Sequence, residues 1–277
     1  MKGISLYSIV PVRVDAREGA EQETQMLFGE TCEIIDRLPS EPDEQPQWYQ
    51  VRLDADGEEG YVDAKMVTAM SDEEYTAYSS APKETMVAFP MAYAMSENNG
   101  QTIPLTAGTR LANYQNGRFE VLGVGFRIDP SMVITAPRTL NQENLLQTVR
   151  FFLNVPYLWG GKNALGMDCS GFVQVIMSLF GITLPRNASQ QAKEGTAVSS
   201  LIEGQAGDLV FFTKPHQAVP EEDIHITHVG ILIDSERVIH CSGRVKVEKI
   251  DSTGIFNPEI GDYSHRLVAV RKVKCEK

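Results

Sequence analysis

Asp168-Cys169-Ser170-Gly171-Phe172-Val173-Gln174-Val175-Ile176-Met177-Ser178-Leu179-Phe180-Gly181 is the stretch whose reading decides the fold. Phe172, Val173, Ile176, Leu179 and Phe180 recur at helical spacing, and Gly181 is a stop signal, so a helix is predicted over 169–180 with those residues on one side. Asp168 stands where a helix cap stands, and Cys169 falls in the first turn. Unpaired backbone N–H groups and the positive end of the helix dipole favour a thiolate there, the nucleophilic form of cysteine. A lone cysteine at a helix start is more often just small and buried, so the chemistry needs partners.

Upstream, Leu145, Val149 and Phe152 predict a helix from about Asn141 to before Pro156, with capping-box spacing in Thr139-Leu140-Asn141-Gln142. Downstream of Pro185 the pattern turns to strands at 208–212, 226–233, 237–242 and 267–271. Helices followed by an antiparallel sheet make an α+β domain.

Two of these strands carry histidine: His228 in Thr227-His228-Val229-Gly230-Ile231, and His240 in Val238-Ile239-His240-Cys241-Ser242. A thiol nucleophile needs a base, and the base needs a third polar group to hold its ring, so Cys169, His228 and His240 supply a complete set. Side chains on a strand alternate faces, and directly paired residues share one. A plain two-residue turn at Ser235-Glu236 would put His240 opposite Ile231 and turn it away from His228. A β-bulge or an odd-length loop is therefore expected between the two histidines.

The first 70 residues differ in texture. Short alternating runs at 9–14, 24–30, 32–35, 48–53 and 60–62, punctuated by Gly, Pro and Asp, predict a small all-β barrel. Pro39 to Pro46 reads as a surface loop. Ala107-Gly108-Thr109-Arg110-Leu111 and Asn116-Gly117-Arg118-Phe119-Glu120-Val121 weakly repeat earlier phrases, so residues 84–137 are expected to be a divergent second barrel, joined through a polar connection at 71–82 with a helical turn.

The whole chain has 277 residues, enough for two or three domains. Its formal charge of −12 repels phosphate backbones and argues against a nucleic-acid partner. No apolar run is long enough for a transmembrane segment. Met1 to Tyr7 lacks the apolar core of a signal peptide, and cytoplasmic and exported locations both stay open. The four cysteines, Cys32, Cys169, Cys241 and Cys275, contain no C-x-x-C pair, so neither a zinc ribbon nor a disulfide framework is expected. A metal site of Cys169, His228 and His240 lacks any finger or helix spacing.

Several phrases together carry a resemblance: V-P-Y-L-W-G-G at 155–161, D-C-S-G-F-V at 168–173, L-P-R-N-A-S-Q-Q at 184–191, G-D-L-V-F-F at 207–212, and the two histidine phrases. In that order, across 140–273, the chain resembles the NlpC-type, papain-like cysteine peptidases of bacterial cell walls. E-T-Q-M-L-F-G-E at 23–30, W-Y-Q-V-R at 48–52 and D-G-E-E-G-Y-V at 56–62 resemble the bacterial SH3-like domains of such enzymes. The resemblance implies a multidomain protein: an SH3-like barrel at 1–70, the divergent second at 84–137, and a papain-like catalytic domain at 138–277.

By position it makes Cys169 the nucleophile, His228 the base and His240 the orienting residue, with Tyr157 near the oxyanion, Ser170 on the substrate and Asp168 on the free amine of an N-terminal L-Ala. In the first barrel Glu23 matches a substrate-side glutamate. The matching tyrosine aligns with Tyr61, or with Glu58 if D-G-x-x-G is spaced strictly. Many relatives carry Asp where this chain has Asn187, which opens the choice of diamino acid. The implied activity is hydrolysis, without cofactor or metal, of the γ-D-glutamyl bond to meso-diaminopimelate or lysine in peptidoglycan-derived peptides, releasing L-Ala-γ-D-Glu for peptide recycling. A non-catalytic wall-binding protein, or an amidase or acyltransferase on the same core, are the alternatives.

Overall fold

A computed structural model describes residues 1–39, 46–215 and 224–274. The interior of the expected Pro39 to Pro46 loop, and Cys275, lie outside the described residues. The chain divides into two compact units, Met1–Pro137 with Trp159–Ala164, and Arg138–Leu158 with Leu165–Lys277.

The first unit opens with β1 (Lys2–Ile4), β2 (Ile9–Arg13), β3 (Gln22–Leu27), β4 (Thr31–Pro39), β5 (Pro46–Leu53), β6 (Glu59–Asp63) and β7 (Thr68–Met70), which pair antiparallel in the order β3-β2-β6-β5-β4-β1-β7. Inward-facing Val10, Val12, Met26, Cys32, Val51 and Val62 are fully buried in its core, as strand alternation demands. The connection at 71–82 is more than a helical turn. It forms α1 (Asp72–Ser80), started by a capping box in which Ser71 accepts from Glu74 N–H and the Glu74 side chain accepts in return. A second set follows: β8 (Met86–Val87), β9 (Met91–Ser96), β10 (Thr102–Thr106), β11 (Arg118–Val121), β12 (Val124–Ile128) and β13 (Val133–Ile134), in a four-stranded sheet β10-β9-β12-β11 and the pair β8-β13. Phe28, from the turn after β3, crosses into this second core and meets Phe126 edge-on at 5.4 Å between ring centres.

Residues Trp159–Ala164, including β14 (Lys162–Asn163), belong to this unit and dock on the E-T-Q-M-L-F-G-E phrase. Gln22 Nε2 donates to Trp159 O at 2.9 Å, Lys162 N–H to Gln25 Oε1 at 2.9 Å, and the buried Lys162 ammonium reaches both Glu30 oxygens at 3.1 Å. Gly160 has φ +69°, and a Cβ there would lie 2.4 Å from Gln22 O. Gly160→Ala is accordingly expected to cost about 1–3 kcal/mol through strain and a displaced loop, read as a lowered thermal midpoint. An unchanged midpoint would mean that the loop is not held in this conformation.

In the second unit α2 (Gln142–Val149) begins one residue after Asn141, whose side chain accepts from Asn144 N–H. The Thr139/Gln142 capping box is not the cap used; Asn144 Nδ2 donates to Thr139 O instead. After β15 (Gly166–Met167), α3 (Cys169–Ser178) starts at Cys169 as the spacing predicts. It is not apolar on one side alone: Phe172, Val173, Val175, Ile176 and Met177 are all buried, because its sequence holds no charge and the helix is enclosed all round. The short α4 (Ala188–Gln191) follows, and then β16 (Thr196–Val198), β17 (Leu209–Thr213), β18 (His228–Asp234), β19 (Arg237–Ser242), β20 (Arg244–Lys249), β21 (Gly254–Asn257) and β22 (Asp262–Lys272). The antiparallel order is β16-β22-β17-β18-β19-β20, with β21 on β22. Helix α3 packs on β18 and β19.

The β18–β19 hairpin decides where the histidines point. Asp234 pairs with Arg237 around the two-residue turn, but Leu232 pairs with Val238 and Gly230 with His240, so the register shifts between Leu232 and Asp234. Ile233 is the extra residue, and its carbonyl accepts from Gln142 Nε2 at 3.1 Å, which satisfies the group the bulge leaves unpaired. The expected bulge is present, and it turns His228 and His240 to one face.

Candidate active site

Asp168 caps α3 by accepting from Gly171 N–H at 2.7 Å, which sets Cys169 in the first turn. Cys169 is 7% exposed. Backbone N–H groups of Val229 and Ser170 donate to it, and Arg186 is nearby, yet burial and the charge of Asp168 push the thiol up to about 11. A helix terminus by itself favours a resting thiolate; here desolvation outweighs two N–H groups and a partial dipole. His228 is displaced the other way, well below 6.5, by burial and then by His240 and His265. Both shifts favour a neutral thiol and a neutral imidazole at rest. Because the Val229 N–H donor follows His228 directly, the sulfur lies alongside the start of β18.

His228 Nε2 and His240 Nδ1 are 2.7 Å apart, and His240 Nε2 lies 2.7 Å from Glu248 Oε2. Lys246 Nζ also reaches Glu248 Oε2, at 3.0 Å. Burial pushes Glu248 up, but the bonds from His240 and Lys246 outweigh it and hold the carboxyl down at about 2. His240 is fully buried. Burial lowers it below 6.5 despite the Glu248 bond.

Glu248 and His265 are site residues that sequence reasoning missed. The signal for Glu248 was available: His240 pairs with Lys246, so Glu248, two residues on, shares its face as a diagonal neighbour. His265, on β22, stacks on His228 at 4.3 Å between ring centres, tilted 35°. Burial lowers it to about 4, and Ser264 Oγ lies 2.9 Å from its Nδ1. Nothing in the spacing of 228, 240 and 265 foretold this, because β22 reaches His228 across the intervening β17. His228, His240 and His265 bring one ligand atom each within 4.8 Å of one another. A cation there would compete with the His228–His240 bond.

Tyr157 is held by its N–H to Gly243 O at 2.9 Å, the φ of +71° at Gly243 turning β19 into β20 beneath it. Burial and the neighbouring Cys169 and Asp168 raise its phenol, which stays a donor at neutral pH. Asp168 and Ser170 are buried, and Arg186 grips both: Nη1 to Asp168 Oδ1 at 3.1 Å and to Ser170 Oγ at 2.8 Å, and Nη2 to Asp168 Oδ2. The second unit thus gathers Cys169, His228, His240, Tyr157, Asp168 and Ser170. Glu23 and Tyr61 belong to the first unit. Arg13 pairs with both Gln22 and Tyr61, and Glu23 is the residue a second bulge inserts beside Arg13.

A buried thiol at a helix start, packed on an antiparallel sheet that bears an imidazole pair, defines a papain-like cysteine peptidase, here preceded by an SH3-like domain. Residues 154–261 match the NlpC/P60 family and residues 12–66 the bacterial dipeptidyl-peptidase SH3 domain. A γ-D-glutamyl-L-lysine dipeptidyl-peptidase of Bacillus subtilis is 32% identical over 267 residues, covering 92% of this chain and 82% of that protein. The chain belongs to the NlpC/P60 family. A crystal structure of an NlpC/P60 family protein from Bacillus cereus superposes with a TM-score of 0.78 at 20% identity, covering 98% of this chain and 99% of that one. An NlpC/P60 endopeptidase from Photobacterium damselae gives 0.69 at 16%, covering 97% and 70%, and these two likenesses speak to the fold.

Proposed function

We propose that this protein hydrolyses the bond between the γ-carboxyl of D-glutamate and the amine of a diamino acid, lysine or meso-diaminopimelate, in peptidoglycan-derived peptides with a free N-terminal L-Ala. The observation that carries the reading is the likeness to the γ-D-glutamyl-L-lysine dipeptidyl-peptidase, which runs through both units. The buried Cys169 thiol and the His228–His240 pair supply the chemistry.

Cys169 passes its proton to His228 as the sulfur bonds to the γ-carbonyl carbon. Tyr157, a protonated phenol, is a donor for the developing oxyanion. Collapse breaks the C–N bond, and His228 gives its proton to the leaving amine. Water then loses a proton to His228 and attacks the thioester, releasing L-Ala-γ-D-Glu and the thiol. The balance closes with water alone. Ser170 contacts the substrate and Asp168 recognises the amine, Glu23 and Tyr61 are substrate-side residues of the first unit, and Asn187 leaves the choice of diamino acid without a charge at that position.

Product analysis on synthetic L-Ala-γ-D-Glu-L-Lys and its diaminopimelate counterpart tests this reading. Release of L-Ala-γ-D-Glu is expected, and acetylating the terminal amine should lower kcat/KM by about 10- to 100-fold, the worth of a hydrogen bond to a charged group. Equal cleavage of free and acetylated peptides would remove the amine-recognition roles; no cleavage of either would remove the substrate class.

A further inference from the structure

The hydrogen bonds at His240 dictate where protons reside. An ionised carboxylate only accepts, so the 2.7 Å contact with Glu248 requires the hydrogen of His240 to sit on Nε2. A neutral His240 then has a bare Nδ1, which accepts from His228 Nε2–H across 2.7 Å. His228 in turn is left with a bare Nδ1, the form a base needs to take a proton from Cys169. Lys246, 3.0 Å from the same Glu248 oxygen, keeps the carboxylate ionised and partly balances its charge.

We propose that Glu248 is a positioning residue that fixes the tautomers of His240 and, through it, of His228, so that the catalytic base faces the thiol unprotonated. The inference rests on the reading of Cys169 and His228 as nucleophile and base. Glu248 acts through His240, whose Nε2 it holds. Among the described residues it is the carboxylate that bonds an imidazole of the pair. Its side chain is only 16% exposed, which shields the bond from competing water.

The test uses the full chain with 15N-labelled histidine in wild type, Glu248→Gln and Glu248→Leu. Glutamine presents a neutral carbonyl acceptor at the same place, and leucine presents none. In wild type and Glu248→Gln, His240 and His228 should both show protonated Nε2 and bare Nδ1, and kcat should stay within a few-fold. In Glu248→Leu the nitrogen shifts should move toward mixed tautomers. There kcat should fall at least about tenfold with KM changed less than about twofold, because a wrong tautomer removes the base without touching substrate binding.

Wild-type tautomers in the leucine variant would overturn the proposal, as would a large kcat loss in Glu248→Gln with tautomers intact. Should Glu248→Leu fail to fold, Glu248→Gln still decides through that second comparison. Alkylation of Cys169 by iodoacetamide at neutral pH, expected to slow in the leucine variant, reads the same coupling without substrate. A failure of the proposed peptide specificity is thereby distinguishable from a failure of the relay.

Discussion

Cys169→Ala is expected to lower kcat/KM by at least about 10⁴-fold while leaving the thermal midpoint almost unchanged. The first effect follows from the proposed mechanism, in which the sulfur forms the bond that splits one difficult step into two. The second follows because the thiol is small and its removal frees only the Val229 and Ser170 N–H groups, which a weak sulfur acceptor had held. Alkylation distinguishes this cysteine further. Cys32 and Cys241 are fully buried, and burial pushes each up to about 12, whereas Cys169 is 7% exposed and stands at about 11 beside a base. Iodoacetamide should therefore inactivate the enzyme in step with modification of Cys169, ahead of Cys32 and Cys241. Full activity in the alanine variant, or inactivation tracking another cysteine, would sink the nucleophile assignment.

The second large effect is on stability. Arg186 is 1% exposed at its side chain and forms a two-pronged ion pair with Asp168, itself 9% exposed. Arg186→Met removes one partner and leaves a carboxylate in a site closed to water, which costs about 3–5 kcal/mol. For a protein of this size that lowers the midpoint by about 10 °C. The double variant Arg186→Met with Asp168→Asn should recover part of the loss, since asparagine still accepts from Gly171 N–H but no longer buries a charge. Melting of the single variant within about 2 °C of wild type would show that the pair is hydrated in solution. If the double variant were no better than the single, the cost would be lost packing and not the stranded charge.

The ion pair also bears on the amine-binding role assigned to Asp168. A carboxylate that caps α3 and takes both prongs of Arg186 is partly neutralised before any substrate arrives. A cationic group approaching it meets the remaining field of the pair, so discrimination against acetylated peptides should lie near the lower end of the expected range.

Much was legible in local pattern. The stretch 168–181 placed a helix start at Cys169, since a cap, a helical period and a stop glycine are all properties of neighbouring residues. The parity of 228 and 240 across a two-residue turn demands a bulge, because strand side chains alternate with a period of two. Ordered phrases along the chain carried the fold class and the cysteine-peptidase chemistry.

What only the tertiary structure decided depends on distance in sequence and on exclusion of water. Glu248 sits in Arg244-Val245-Lys246-Val247-Glu248-Lys249, a segment to which local pattern assigns no role, and pairing with β19 delivers its carboxylate to His240. His265 reaches the ring of His228 because β22 and β18 flank β17. The role of Arg186 shows only in its burial against Asp168. The protonation state of Cys169 reverses the local expectation for the same reason: a helix dipole can be read from sequence, but the desolvation that overcomes it belongs to the assembled core.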